Sequence, residues 1–168
     1  QIEEGFNDIE PQRVGVLCGR GHNGGDGFVI ARQLALMGRF VDVVLCGRVK
    51  ELNGDVLSCL QALAREGVSV AETSSVDEWD AWKPTLSRCD LLVDALVGTG
   101  LRASLEGTIA KIVHDVNLSR LPVVSVDMPS GVVNADHLSG SPCIRASLTV
   151  TFVVPKMALI SPMGIEHC

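Results

Sequence analysis

The sequence predicts a doubly wound α/β fold, with a mainly parallel sheet and helices on both faces. Short apolar runs alternate with helix-length segments along the chain, the pattern of successive βαβ units. Three of those runs end in loops bearing Gly or Asp. Aliphatic residues are abundant while aromatics make up only 4% and Tyr is absent, which suits a Val/Leu/Ala core between layers better than a β-sandwich. At 168 residues the chain is expected to form one domain, residues 1–168, with no composition break and no internal repeat.

The elements follow in order. Residues 1–12 are polar and acidic, and Val14-Gly15-Val16-Leu17-Cys18 reads as the first buried strand. A glycine loop then leads to a helix from Phe28 to Met37, closed by Gly38. Val41–Cys46 is the second strand, and a helix runs from its cap Asn53 to Arg65, with Gly67 as the stop. Val68–Val70 is a short third strand, and Ser74–Trp82 a short helix that Pro84 limits. Cys89–Leu96 is the fourth strand, followed by a loop and a helix over 104–116. Leu121–Asp127 is another buried strand; a Gly- and Ser-rich loop over 132–146 and a last strand over 146–154 precede an irregular tail. The expected result is a Rossmann-like three-layer αβα arrangement.

Composition excludes several classes. The formal charge of −6 and the lack of any Lys/Arg run argue against a nucleic-acid partner. No apolar run reaches the ~18 residues of a membrane span, and the N-terminus is acidic rather than signal-like. The six cysteines form no C-x-x-C pair and share no ligand-like spacing with the four histidines, so neither a disulfide framework nor a zinc site is expected. A reducing compartment is implied, the cytoplasm or one such as the mitochondrial matrix.

In open parallel sheets, ligands sit beyond the carboxyl ends of the strands. Gly19–Asp26, Asp94–Gly100 and Asp127–Gly131 are therefore expected on one edge. Each has a bland reading, as a tight turn or a strand-end cap, but three on one edge favour a site. Gly19, Gly21 and Gly24 have the G-x-G-x-x-G spacing of a dinucleotide loop. Asp26 conflicts with that reading, because a carboxylate beside a bound pyrophosphate sets like charges together. The acid expected at the end of strand two is also missing, where Cys46-Gly47-Arg48 stands; Arg48 is suited to a 2′-phosphate. Asn23, Asp26, Asp94 and Ser130 offer oxygen ligands for a hard cation instead.

At Gly19-Arg20-Gly21-His22-Asn23-Gly24-Gly25-Asp26-Gly27, Asp94-Ala95-Leu96-Val97-Gly98-Thr99-Gly100-Leu101 and Val126-Asp127-Met128-Pro129-Ser130-Gly131 the chain resembles the NAD(P)H-hydrate epimerase, or YjeF amino-terminal domain, family. Leu148–Phe152 followed by Pro155-Lys156 is a weaker fourth match, and His22 stands where the family more often has Asn. The resemblance implies interconversion of the R and S epimers of NADH or NADPH hydrated at ring carbon 6, the S form passing to a partner dehydratase. It implies one potassium ion per chain on Asn23, Asp94 and Ser130. It implies contacts to the hydrated cofactor from His22, Asn23, Gly24, Gly25, Asp26, Gly98, Thr99, Gly100, Leu101, Arg102, Ala103, Ser104 and Asp127, with Asp127 as the catalytic acid and base. Family members carry helices before the first strand, used in homodimer packing, and continue beyond the position of Cys168. The chain is accordingly expected to lack that arm and to end before the last strand or strands. Two other readings share the fold: a non-catalytic binding scaffold, and an NAD(P)-dependent oxidoreductase, which Asp26 and the missing strand-two acid disfavour.

Overall fold

A computed structural model describes residues 12–101, 104–132, 142–152 and 156–167. Six strands, β1 (Arg13–Cys18), β2 (Phe40–Cys46), β3 (Val70–Thr73), β4 (Leu91–Ala95), β5 (Val123–Val126) and β6 (Leu148–Val150), form one sheet in the order β3-β2-β1-β4-β5-β6. Every neighbouring pair is parallel. The helices are α1 (His22–Leu36), α2 (Gly54–Arg65), α3 (Val76–Trp82), α4 (Gly107–Ser119) and α5 (Pro162–His167). No helix among the described residues is long and apolar enough to cross a membrane.

Strand alternation sorts the core into two layers. Val14, Val16 and Cys18 of β1 and Leu91, Val93 and Ala95 of β4 meet Phe28, Ala31 and Leu34 of α1 and Val56 and Leu63 of α2. Leu17, Leu92 and Val123 point the other way, to Trp79 of α3 and Ile112, Val113 and Val116 of α4. Helices thus cover both faces, as the alternating pattern requires. A buried polar clamp joins α3 to α4: the Trp79 indole N–H donates to Asp115 Oδ2 at 2.8 Å, and Lys83 and Lys111 pair with the same carboxylate. Burial works to raise the Asp115 carboxyl, but Lys111, Trp79 and Lys83 outweigh it and bring the group down to about 2.

Several boundaries differ from expectation, each for a tertiary reason. β3 begins at Val70 rather than Val68, because its ladder is set by pairing with Val43–Cys46 of β2. Asn53 precedes α2 but its side chain makes no capping bond, the chain turning into the helix at Gly54, φ +54°. α4 starts at Gly107 and runs to Ser119, and the tail holds a turn of helix at Met157–Ile160 before α5. The last strand spans Leu148–Val150; residues 133–141 of the expected loop and 153–154 of the expected strand lie outside the described residues.

The largest difference is at the start of α1. Helix begins at His22, not Phe28, so Gly24, Gly25, Asp26 and Gly27 are helical rather than loop. The glycines are there for contact. A Cβ on Gly24 would sit 1.8 Å from the Gly19 carbonyl oxygen, and one on Gly27 would meet Ala95 Cβ at 2.7 Å. The first turns of α1 therefore lie directly on the ends of β1 and β4, closer than any side chain permits.

Candidate active site

The strand order reverses between β1 and β4, the place where doubly wound sheets bind ligands. A cleft of about 610 Å³ opens there. From the three marked segments, His22, Asn23, Asp26, Gly98, Thr99, Gly100 and Asp127 all line it. Gly24 and Gly25 do not. They are buried, packed against Gly19 and Val56 respectively. Leu101 packs into the α3/α4 core, and the Ser104 hydroxyl turns to the Leu105 carbonyl at 3.5 Å. Arg102 and Ala103 lie outside the described residues.

Asp127 is presented by a strained turn. Its φ is +67°, and the Met128 N–H donates back to the Val126 carbonyl at 2.8 Å, closing a three-residue γ-turn at the end of β5. The Asp127 N–H is taken by Val150 of β6 at 2.8 Å, so the neighbouring strand holds the turn in place. The carboxylate receives Lys156 Nζ at 3.0 Å and Thr151 Oγ1 at 3.3 Å, both on Oδ1. The residue lines the cleft, and among the described residues both of these contacts fall on Oδ1.

Asp26 is the second carboxyl group of the cleft. It lies in the second turn of α1, with no acid in the first turn. Its side chain lines the same cleft as Gly19, Gly21 and His22 at the helix mouth. Partial burial pushes the Asp26 carboxyl up, and the charge of Asp127 adds to this while His22 works against it.

Beneath the cleft lies a buried polar cluster. Asp94, at the end of β4, is fully buried and accepts from Ser130 Oγ at 2.6 Å, Ser130 N–H at 2.8 Å, Ser125 Oγ at 2.8 Å and, more weakly, Leu96 N–H at 3.3 Å. Burial pushes its carboxyl up and those four donors oppose the shift. Ser130 Oγ also accepts the Val97 N–H at 2.9 Å, tying the β4 and β5 loops together. Asn23 reaches the same region from α1: a Cβ on Gly98 would stand 3.3 Å from its Cγ. Among the described residues neither Oδ1 nor Nδ2 of Asn23 has a hydrogen-bond partner, although both are buried. Such a group costs stability unless something binds it.

Sequence reasoning missed part of the wall. Arg20, Cys46, Ile109, Phe152 and Lys156 also face the cleft. Lys156 carried a signal, following the last predicted strand within a quoted motif, yet its pairing with Asp127 depends on how β6 returns beside β5. Nothing in the local sequence marks Ile109, which arrives from the far helix α4.

A parallel, doubly wound sheet with a cleft at its switch point defines the class of protein to which the chain belongs. The model of the YjeF-related protein N-terminus matches residues 2–158, and the chain belongs to that family. A bifunctional NAD(P)H-hydrate repair enzyme, Nnr, of Thermofilum pendens is 39% identical over 156 residues, covering 93% of this chain and 30% of that protein. An NAD(P)H-hydrate epimerase of Rhodopirellula baltica is 35% identical over 153 residues, covering 90% of this chain and 61% of its own length. The crystal structure of the yeast protein YNL200c superposes with a TM-score of 0.75 at 28% identity, over 88% of this chain and 60% of that one. The chain thus spans less than two thirds of these relatives.

Proposed function

We propose that the chain is an NAD(P)H-hydrate epimerase, an isomerase that interconverts the R and S forms of hydrated NADH or NADPH. The observation that carries this is Asp127, which lines the cleft and is held there on Oδ1 by Lys156 and Thr151. The names of the relatives support the substrate class.

The substrate's carbon 6 bears a hydroxyl and is bonded to the ring nitrogen. Asp127 protonates that hydroxyl, which leaves as water while the nitrogen lone pair forms a planar iminium. Water adds to the other face, and the carboxylate takes its proton. No bond order or redox state changes overall, and the proton returns to the group that gave it. Asp26, whose carboxyl is raised toward the protonated form, supplies a second proton carrier in the same cleft. Lys156 fixes the Asp127 carboxylate and balances its charge.

Asn23, Asp94 and Ser130 would hold a potassium ion. The unpartnered Asn23 amide, one buried carboxylate and a serine hydroxyl form a donor set for a hard monovalent cation. Bound there, the ion supplies positive charge that draws the α1, β4 and β5 segments together. The fuller reading includes a homodimer through N-terminal helices, a dehydratase that consumes the S epimer, and a reducing compartment in keeping with the free thiols of Cys18, Cys46, Cys59 and Cys89.

The test is chromatographic. Pure R-hydrate is mixed with the protein, with and without potassium, and the appearance of S-hydrate is followed against a blank. Acceleration supports the reading; a rate equal to the blank in both buffers favours a non-catalytic scaffold.

A further inference from the structure

Beyond Cys46 the cleft continues into a second hollow of about 290 Å³ over the ends of β2 and β3. The two share Arg20, Cys46 and Ile109, and the hollow adds Glu51, Ser74 and Glu106. With strands spaced about 4.8 Å apart, β2 and β3 lie roughly 14–19 Å from the β5 end that carries Asp127. The two hollows together match the two halves of an extended dinucleotide.

Cys46-Gly47-Arg48 contains no acid, yet the fold brings one to that place. After β2 the chain makes a single helical turn, Val49–Glu51, which folds Glu51 back over Gly47. Oε2 of Glu51 lies 3.1 Å from where a Gly47 Cβ would stand, and Arg20 Cδ lies 2.6 Å from the same point, so both side chains close over the glycine. The Arg48 N–H donates to Glu51 Oε2 at 3.0 Å and Arg20 Nη1 approaches it at 3.4 Å. Among the described residues both contacts fall on Oε2 and none on Oε1. Arg48, the residue suited to a 2′-phosphate, has its guanidinium on Glu78 at 2.5 Å. The hollow therefore presents two carboxylates, Glu51 and Glu106, against the single guanidinium of Arg20.

We propose that this hollow receives the adenosine ribose of the substrate, and that Glu51 makes the chain prefer hydrated NADH over hydrated NADPH. The proposal rests on the epimerase reading for its substrate. Glu51 Oε1 accepts the ribose 2′-hydroxyl, the part played by a strand-two acid in dinucleotide folds. A 2′-phosphate in the same place faces Glu51 and Glu106, and the repulsion rejects it.

Binding of ADP-ribose and of 2′-phospho-ADP-ribose is measured by calorimetry in potassium buffer, for wild type and Glu51→Gln. The Gln carbonyl still accepts from the Arg48 N–H, so the turn is kept while the charge is removed. Wild type is expected to bind ADP-ribose at least tenfold tighter than its 2′-phosphate, and Glu51→Gln to narrow that ratio to within about threefold. The ratio of kcat/KM for the two hydrates should move the same way. Equal binding of both probes by wild type, no binding of either, or an unchanged ratio in Glu51→Gln overturns the proposal. A role for Glu51 confined to capping its turn shifts both ligands together and leaves the ratio still. A protein that discriminates the probes as expected but epimerises neither hydrate keeps this subsite and loses the epimerase reading instead.

Discussion

Replacing Asp127 with Asn isolates one oxygen atom. Lys156 and Thr151 both contact Oδ1, which an Asn side chain keeps as its carbonyl, so only Oδ2 becomes an amide. Asn also shares the tolerance of Asp for positive φ, whereas Ala at +67° adds backbone strain and confuses the result. Loss of a positioned acid and base costs about 10²–10⁴ in rate, or roughly 3–5 kcal/mol of transition-state stabilisation. The Lys156–Asp127 pair is partly exposed, at 23% and 15%, so loss of its charge attraction is worth about 1 kcal/mol or less. For a chain of this size that lowers Tm by only about 2–4 °C. Steady-state conversion of R- to S-hydrate, with a thermal melt on the same samples, separates the two effects. The expected result is kcat down at least 100-fold, KM little changed and Tm within a few degrees of wild type. A folded Asp127→Asn protein that keeps kcat within about threefold would refute the assignment.

Other predictions follow from the buried cluster, the second acid and the glycines. Asn23→Ala removes an unpartnered buried amide; in potassium-free buffer its Tm should equal or exceed wild type, while the rise in Tm that potassium gives wild type should vanish. Because the Asp26 carboxyl is raised in the folded protein, it favours folding only while protonated, and that advantage is lost as pH rises from the ordinary carboxylate range through the raised value. Asp26→Asn should therefore stabilise the protein at neutral pH and not at pH 3, as read by denaturant midpoints, while slowing epimerisation. Gly24→Ala forces a methyl to within 1.8 Å of the Gly19 carbonyl oxygen. Overpacking against backbone should cost about 3 kcal/mol, seen as a lower urea midpoint at unchanged slope.

The reading of α1 shows where sequence logic stops. Three glycines within His22–Gly27 speak against helix by propensity, and a loop was the natural expectation. The structure makes them helical because the ends of β1 and β4 press too close for a side chain at Gly24 or Gly27. Asp26 follows from that change: expected at the mouth of a phosphate loop, it stands a turn deeper and shares the cleft with Asp127.

Alternation of apolar runs with helices was enough to determine a parallel, doubly wound sheet, because a helix between two strands carries the chain back to the end where the previous strand began. The same logic placed three marked strand ends on one edge and brought Asn23, Asp26, Asp94, Asp127 and Ser130 into consideration before any coordinates. Local pattern contains the period of an element and the residues at its ends. It does not contain the register between distant segments. Thus the pairing of Lys156 with Asp127 depends on β6 lying beside β5, and the return of Glu51 over Gly47 depends on a turn packed under Arg20. The isolation of the Asn23 amide depends on α1 meeting the β4 loop at Gly98. The first and last are contacts across tens of residues, and the Glu51 turn is met by Arg20 from 31 positions away; each carries part of the chemistry proposed for the cleft.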